Sequence, residues 1–343
     1  MLDHRSYSDK LVMILICFGT RPEWLKIKPL IKNLDCKLLF TGQHQDLLDE
    51  IDVDYRLYPN AKSHNFNSMR LNAVMEDCLA QFPCYDSKSF DYVLVQGDTA
   101  TAFACALAAF NLKIKVIHLE AGLRTNDLDN PYPEEGYRQM ISRIASINLC
   151  PTTRALQNLK DEGIENAHVV GNTILDSLIK YKGSESYGNK VLVTLHRREN
   201  HKIMDQWFRN LNDISKRYKE DLEFILPIHP NPNVLKHKDI LQYVNVVEPI
   251  SHDETIRLLT ECKFCITDSG GIQEEASFFN KRTIVCRKNT ERQEAIISGH
   301  VVLCTKPSYL SSSVDDMLNN YQIDKPCPFG DGKSSSKIKN LVI

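Results

Sequence analysis

Short apolar runs alternate with segments of helical spacing along nearly the whole chain, and this alternation restricts the fold more than any other feature. The runs are rich in Val, Ile and Leu, which is typical of parallel strands buried on both faces. Eleven runs are present, at residues 11–18, 38–41, 92–96, 114–119, 147–150, 191–195, 224–228, 244–247, 264–267, 283–286 and 301–304. Helical spacing occurs between them at 22–33, 100–110, 134–145, 204–218 and 254–262. The pattern predicts a doubly wound α/β chain.

The length of the chain predicts two domains. Its 343 residues exceed the roughly 250 to 300 at which a single hydrophobic core stops growing. The alternation stops at the polar stretch 182–188, so we place a linker at about 173–189. Each half then holds five or six strands. We therefore expect two Rossmann-like domains facing a cleft: residues 1–172 joined by a C-terminal helix at about 333–343, and residues 173–332.

Charge and apolar content exclude several classes of partner. The 42 Lys and Arg against 44 Asp and Glu give a net charge of −2, without the basic excess that a general nucleic-acid binder needs. The early run 11–18 has eight residues, well short of the ~20 that span a bilayer, so no membrane partner is expected. The 11 cysteines, many of them in apolar runs, indicate buried thiols in a reducing cytoplasm. Cys262 and Cys265 form one CxxC without a second pair, which favours a structural role over zinc.

A glycine turn is the strongest local signal for a ligand. Neither GxGxxG, a complete GxxxxGK[ST] nor HExxH occurs, so we predict no cofactor and no metal. In 267–275, an apolar strand ends at Ser269, Gly270 and Gly271, and a helical pattern follows. Glycines allow a phosphate to approach the unpaired N–H groups of a first helical turn. Glu275 lies one turn further, within reach of ribose hydroxyls. The alternative is a tight turn with Ser269 as the helix N-cap.

Carboxylates follow the strands of the first half. Asp98, Glu120 and the pair Glu134-Glu135 come after predicted strands or begin a predicted helix. The carboxyl ends of parallel strands meet at one edge of a sheet, so these acids should converge there. Mutual repulsion would raise the pKa of one of them, which suits general acid–base catalysis. The alternative is helix capping by Asp98 and a first-turn position for Glu134 and Glu135.

Cations stand at other junctions between strands and loops. Arg21 and Lys26 follow the first run, His196 follows the first run of the second half, and Arg292 lies near the end of the chain. Charge-assisted hydrogen bonds to a diphosphate would explain these positions in a nearly neutral chain. The alternative is solvated surface charge, which we prefer for Lys28, Arg197 and Arg198.

Taken together, these motifs resemble the non-hydrolysing UDP-N-acetylglucosamine 2-epimerases. The matching blocks occur in order at 18–23, 42–44, 97–99, 120–125, 133–135, 171–173, 196–199, 268–275 and 290–292. The resemblance implies a glycosyltransferase-B-like fold, a homodimer, and interconversion of UDP-GlcNAc and UDP-ManNAc for glycan or polysaccharide synthesis. It also implies a reaction without a metal or a nicotinamide cofactor.

The resemblance also implies a mechanism and the roles of individual residues. UDP is eliminated anti to give 2-acetamidoglucal, and is then added back with the C2 proton delivered to the opposite face. The diphosphate would be held by Arg21, His196, Ser269, Gly270, Gly271 and Arg292, the ribose by Glu275, and the uracil by the loop with Ile250 and Thr255. The sugar and its proton transfers would fall to Lys26, Asp98, Glu120 and Glu134, with His196 also acting in catalysis.

The chain departs from the family pattern at three places. Tyr137 stands where Asn is usual, close enough to the acids to alter the sugar preference. Ile250 and Thr255 replace Gln or Leu and Phe, which weakens ring stacking on uracil. Segment 58–67 lacks the Arg-bearing stretch that helps bind a second UDP-GlcNAc, which argues against allosteric activation.

Other readings of the sequence stay open. They are an epimerase of another UDP-2-acetamido sugar such as a 6-deoxy-L-hexose, a hydrolysing relative, a glycosyltransferase of the same fold, and a non-catalytic nucleotide-sugar sensor.

Overall fold

The computed structural model describes residues 12–44, 51–58, 70–82 and 89–343. The chain divides into two compact units. The first comprises the described part of Met1–Asp176 together with Gly332–Ile343, and the second comprises Ser177–Asp331. Within the described ranges, no helix combines the length and apolar character needed to cross a membrane.

The first unit is built on a parallel sheet of seven strands. These are β1 (Ile14–Phe18), β2 (Cys36–Phe40), β3 (Tyr55–Arg56), β4 (Tyr92–Gln96), β5 (Lys115–Leu119), β6 (Ile147–Cys150) and β7 (Ala167–Val169). Their order in the sheet is β3-β2-β1-β4-β5-β6-β7. The helices are α1 (Arg21–Ile27), α2 (Arg70–Gln81), α3 (Ala100–Asn111), α4 (Glu134–Ile144) and α5 (Thr153–Asp161), with a 3-10 helix at Lys28–Leu30. A further 3-10 helix, Thr173–Tyr181, includes residues of both units.

The second unit is built on a parallel sheet of six strands. These are β8 (Lys190–Thr194), β9 (Glu223–Pro227), β10 (Asn245–Val247), β11 (Phe264–Thr267), β12 (Thr283–Val285) and β13 (Val301–Leu303), in the order β10-β9-β8-β11-β12-β13. The helices are α6 (Met204–Arg217), α7 (Pro232–Leu235), α8 (His252–Glu261), α9 (Gly270–Phe278), α10 (Gln293–Ile297) and α11 (Leu310–Asn319). Shorter 3-10 helices lie at Arg198–Ile203, Lys238–Ile240 and Pro307–Tyr309.

Strand β1 shows why the sheets are buried on both faces. Its five residues are fully buried. Leu15 and Cys17 join one apolar cluster with residues of α2 and α3, while Ile14, Ile16 and Phe18 join the cluster on the opposite face. The final helix, α12 (Ser334–Val342), contributes two buried side chains to that second cluster.

The prediction of two Rossmann-like domains is confirmed, with corrections in detail. All eleven apolar runs contain strands, although β1 begins at Ile14 and Leu11 lies outside the described residues. The count of five or six strands is correct for the second sheet and wrong for the first, because the short strands β3 and β7 were missed. The helix predicted at 22–33 begins at Arg21 and tightens into a 3-10 turn after Ile27. The expected linker is partly helical, since it includes Thr173–Tyr181.

The ten cysteines in the described part of the chain are free thiols, and most are buried. The Sγ atoms of Cys262 and Cys265 lie 3.6 Å apart in the second unit. Burial raises the pKa of Cys265, which agrees with the structural role expected for this pair.

Candidate functional site

The acids predicted after β4 and β5 lie together at the carboxyl edge of the first sheet. Glu120 follows β5 with a left-handed backbone, φ +66°. One of its carboxylate oxygens accepts a hydrogen bond from Lys26 Nζ and the other from Gln96 Nε2. Lys26 belongs to α1 and Gln96 is the last residue of β4, so two separate elements fix this carboxylate.

Asp98 occupies the turn after β4 and is paired with Arg138 of α4. Nε of Arg138 donates to Oδ2 of Asp98 at 2.9 Å, and Nη2 donates to the same oxygen. Burial raises the pKa of Asp98, and the charge of Glu120 adds to this, whereas Arg138 opposes it. The residue that caps α3 is Thr99, whose hydroxyl accepts from Ala102 N at 3.0 Å. The capping role considered for Asp98 is therefore wrong.

The neighbouring acids Glu134 and Glu135 have different surroundings. Both lie in the first turn of α4. Glu135 is completely buried and accepts hydrogen bonds from the backbone N–H groups of Thr125 and Asn126, at 3.1 and 3.2 Å. Its carboxylate therefore fixes the loop that leads into α4. Glu134 is the first residue of the helix and is half-buried.

His118 is a buried member of this region that the sequence analysis missed. Its Nε2 lies 2.8 Å from the carbonyl oxygen of Gly97, so this nitrogen carries a proton and donates it. Burial lowers the pKa of His118 to about 4, and the ring is neutral near pH 7. It holds the left-handed turn at Gly97, φ +70°, that presents Asp98. The feature of the sequence that could have identified His118 is its position in a predicted strand, two residues before Glu120.

Arg21 begins α1, and the turn before it is shaped by Glu23. Oε2 of Glu23 accepts from the backbone N–H groups of Gly19 and Thr20 at 3.0 and 2.8 Å. A Cβ on Gly19 would lie 2.3 Å from Thr41 Oγ1, so the turn has no room for another residue type. Arg21 itself is exposed.

The glycine turn of the second unit, residues 268–271, joins β11 to α9. Ser269 occupies the N-cap position of α9, as the alternative expected, but its side chain makes no capping hydrogen bond. A Cβ on Gly270 would lie 2.8 Å from Nη1 of Arg292, so the guanidinium rests directly on this glycine. A Cβ on Gly271 would meet nothing within 4 Å. The structure therefore brings Ser269, Gly270, Gly271 and Arg292 together.

Arg292 is buried among acids. Its Nε donates to Oε1 of Glu274 at 2.8 Å, and its Nη1 pairs with Glu291. These carboxylates hold the guanidinium in place beside the turn.

Glu275 lies in α9 and is paired with His252, which the sequence analysis missed. Nε2 of His252 lies 2.8 Å from Oε1 of Glu275, and this hydrogen bond raises the pKa of His252. His252 is the first residue of α8 and lies between the predicted residues Ile250 and Thr255. The Thr255 hydroxyl donates to the Ser251 carbonyl at 3.0 Å, so it is used within the helix. Ile250 is half-buried.

His196 lies after β8 and stacks on His229. The two ring centroids are 5.1 Å apart and the rings are inclined by 13°. The backbone N–H of His196 donates to Asp268 at 3.0 Å. Burial lowers the pKa of His196, while the charge of Asp268 opposes this.

Of the two remaining departures from the family pattern, one lies within the described residues and the other falls almost entirely outside them. Tyr137 stacks on Phe103 of α3, with ring centroids 5.3 Å apart and an interplanar angle of 4°. Of the segment 58–67, residues 59–67 lie outside the described part of the chain. No group of three or more His, Cys, Asp and Glu side chains in the described ranges is placed to hold a metal ion.

Comparisons with known proteins agree on one family. The profile of the UDP-N-acetylglucosamine 2-epimerase family matches residues 30–343. A UDP-N-acetylglucosamine 2-epimerase of Campylobacter jejuni is 36% identical, over 96% of this chain and 97% of the relative. The UDP-GlcNAc 2-epimerase from Neisseria meningitidis bound to UDP-GlcNAc gives a TM-score of 0.84 at 30% identity, over 96% of this chain and 99% of that one. The enzyme of Methanocaldococcus jannaschii in complex with UDP-GlcNAc and UDP gives 0.79 at 31%, with coverages of 96% and 99%. The glycosyltransferase-B-like fold class is confirmed.

Proposed function

The chain belongs to the UDP-N-acetylglucosamine 2-epimerase family, and on this basis we propose that it inverts C2 of a UDP-2-acetamido sugar, converting UDP-GlcNAc to UDP-ManNAc without net hydrolysis. The observation that carries the proposal is the pair of carboxylates Asp98 and Glu120 at the ends of neighbouring strands, each held by a cation from a helix. The homodimer and the use of the product as a glycan precursor belong to the proposal through the family resemblance alone.

The proposed chemistry is an elimination followed by an addition. The bond between C1 and the diphosphate oxygen breaks with its electron pair leaving on UDP, and a carboxylate takes the C2 proton to form 2-acetamidoglucal. In the return step a proton is delivered to the opposite face of C2, and a UDP oxygen forms the bond to C1 again. The C2 hydrogen is only weakly acidic, so departure of UDP runs ahead of proton removal.

The first unit supplies groups suited to the proton transfers. Inversion needs proton carriers on both faces of C2, and burial raises the pKa of Asp98 toward the range in which a carboxyl both accepts and returns a proton. Glu120 remains paired with Lys26. We assign Lys26, Asp98, Glu120 and Glu134 to the sugar and its proton transfers.

The second unit supplies groups suited to UDP. Ser269 and the two glycines leave the first turn of α9 open to a phosphate, and Gly271 has free space beside it. We assign the diphosphate to this turn with Arg292 and His196, the ribose to Glu275, and the uracil to the loop of Ile250 and Thr255. The family resemblance alone adds Arg21 of the first unit to the residues that bind the diphosphate. Because His252 already binds Glu275, we expect the ribose to share that carboxylate with the imidazole.

Incubation of the purified chain with UDP-GlcNAc in D₂O tests the activity. Deuterium is expected at C2, together with a manno product, as followed by NMR without any acceptor. A glycosyltransferase or a nucleotide-sugar sensor would leave C2 unlabelled, and a hydrolysing relative would release free ManNAc and UDP. Deuterium at C2 of a 6-deoxy UDP-2-acetamido sugar, but not of UDP-GlcNAc, would show that the reaction is as proposed and that the substrate is a different sugar. Absence of label from every UDP-2-acetamido sugar would refute the proposal.

Substitution of the two carboxylates tests the assignment of residues. Asp98→Asn and Glu120→Gln are each expected to reduce turnover by at least ~10²-fold, since proton transfer by a positioned side chain contributes about 10²- to 10⁴-fold. Binding of UDP, measured by calorimetry, should persist. Asp161→Asn and Glu165→Gln change exposed acids of the same unit and serve as controls. Full turnover in both active-site variants would contradict the assignment.

A further inference from the structure

Asp268 is a fully buried carboxylate to which the proposed chemistry gives no task. It accepts hydrogen bonds from the backbone N–H groups of His196, at 3.1 and 3.0 Å, and of Arg197, at 2.9 Å. A third donor is Nδ2 of Asn200, also at 2.9 Å. All three donors belong to the loop after β8, whereas Asp268 itself begins the glycine turn. The carboxylate therefore fixes the loop that carries His196 to the turn assigned to the diphosphate.

The amide of Asn200 shows that Asp268 acts as an acceptor. The indole Nε1–H of Trp207 can only donate, and it lies 3.1 Å from Oδ1 of Asn200. This contact assigns the other amide atom as Nδ2, which donates to Asp268 and, at 3.0 Å, to the carbonyl of Cys286. Asp268 thus accepts every one of its hydrogen bonds with this loop and donates none.

The ring of His196 lies with one edge beside Asp268 and with its face stacked on His229. Nδ1 of His196 lies 3.6 Å from Oδ1 of Asp268. The stacked ring of His229 is fixed in turn, because its Nδ1 accepts from Asn231 N at 3.1 Å. About a third of the His196 side chain remains exposed, at 32%, so the ring keeps an open side.

The charges facing this ring act in opposite directions. Asp268 favours the protonated imidazole, while Arg197, His201 and His229 disfavour it. Burial also disfavours the cation. Asp268 therefore supplies the negative charge that opposes burial and these neighbours.

We propose that Asp268 is a positioning residue that acts through His196: it orients the imidazole beside the glycine turn and supplies the negative charge that favours a proton on the ring as charge develops on the departing diphosphate. The inference rests on the proposed function. Removal of UDP places negative charge on a phosphate oxygen, and a pre-oriented imidazolium stabilises that charge without reorganisation.

Asp268→Asn is the variant that tests this role. It preserves the shape but removes the charge and places an amide against backbone donors. We expect kcat for epimerisation to fall by about 10²-fold, as for a small misplacement of a reacting group, with a smaller change in KM. The alkaline limb of the kcat–pH profile should move to lower pH, because the imidazolium loses its negative neighbour. Asp315→Asn changes an exposed carboxylate of the same unit, paired with Arg217, and should leave kcat unchanged.

A double-substitution cycle separates action through His196 from a general loss of structure. In a His196→Gln background, Asp268→Asn should reduce kcat little further, because the group through which it acts is gone. If the two substitutions reduce kcat by factors that multiply in the double variant, the proposal is overturned. It is also overturned if Asp268→Asn lowers kcat while the alkaline limb stays where it is in the wild type. If Asp268→Asn fails to fold, Asn200→Ala provides the opposite shift. It withdraws one donor from Asp268, so the alkaline limb should move to higher pH, and an unmoved limb there would also overturn the proposal.

An NMR titration of the His196 ring, assigned by His196→Gln, gives a readout that needs no activity. The pKa of His196 should be lower in Asp268→Asn than in the wild type. A wild type that epimerises no UDP-2-acetamido sugar would refute the proposed function, whereas a shifted titration in that case would still support the coupling of Asp268 to His196. An unchanged titration would overturn the inference whether or not the wild type is active.

Discussion

Replacement of Gly122 by alanine is expected to destabilise the first unit by about 3–6 kcal/mol. Gly122 lies two residues after Glu120 and has a φ of +87°. A Cβ there would lie 2.2 Å from the carbonyl oxygen of Ala155 and 2.7 Å from its carbonyl carbon, both backbone atoms in the first turn of α5. The helix would have to move, because no side-chain rotation relieves a clash with backbone.

Three contributions give this magnitude. The left-handed conformation costs roughly 1–2 kcal/mol in a residue with a Cβ. Overpacking against α5 costs about 1–3 kcal/mol. Displacement of the helix also weakens the hydrogen bond from Asn158 Nδ2 to the Gly122 carbonyl, at 2.9 Å, which is worth about 1 kcal/mol. A loss of this size is a large part of the ~5–15 kcal/mol that stabilises a typical protein.

Two further glycines provide matched controls. Gly163 shares the left-handed backbone, φ +73°, but its Cβ would meet nothing within 4 Å, so Gly163→Ala measures the conformational cost alone. Gly136 lies in α4 with open space around it, and Gly136→Ala is expected to stabilise the unit by roughly 0.5–1 kcal/mol. Urea unfolding can be followed by the fluorescence of Trp24 in a Trp207→Phe background, since the chain has 2 tryptophans. Equal losses in Gly122→Ala and Gly163→Ala would refute the argument from close approach.

Two predictions concern pH and stability. The unfolded chain protonates His118 near pH 6.5 and the folded chain only at about 4, so this residue lowers stability by up to about 3 kcal/mol as the pH falls through that window. Urea unfolding of His118→Gln should show a shallower acid dependence, and an unchanged slope would contradict the buried neutral ring. The hydrogen bond to Glu275 raises the pKa of His252 in the folded chain. The stabilisation from this pair is therefore complete below the pKa of His252 in the unfolded chain, and it is lost as the pH rises through the pKa in the folded chain. Glu275→Gln should remove that part of the pH dependence, and a profile identical to the wild type would exclude the pair as its source.

The strands that were predicted and those that were missed differ in burial. Central strands such as β1 and β11 are buried at every residue, so their apolar runs are continuous. Strand β3 has two half-buried residues, and β7 reads Ala-His-Val with two exposed positions. Both strands lie at the edges of the first sheet, where one face or one side is open to solvent. An edge strand needs no apolar run, so the sequence carried no signal for it.

The positions of the candidate site residues were predictable, but their partners were not. Glycines and acids at the ends of apolar runs must lie at the carboxyl edge of a parallel sheet. The partner of each depends on contacts distant in sequence: Asp98 and Arg138 are 40 residues apart, and Lys26 and Glu120 are 94 apart. No spacing rule connects such pairs. The contacts of His252 and Asp268 were missed for the same reason, because each residue binds a partner on another element. His252 pairs with Glu275 of α9, and Asp268 accepts hydrogen bonds from the segment after β8.

Two of the local ambiguities left by the sequence are settled by hydrogen bonds, and the outcome bears on function. Thr99 caps α3, so the carboxylate of Asp98 is not needed for the helix and is instead held by Arg138. Glu135 is committed to the loop before α4, where it fixes two backbone N–H groups. Helix capping would have explained the position of the Asp98 carboxylate without a role in catalysis. Because that explanation fails for Asp98 and structural support accounts for Glu135, the proton transfers are best tested at Asp98 and Glu120.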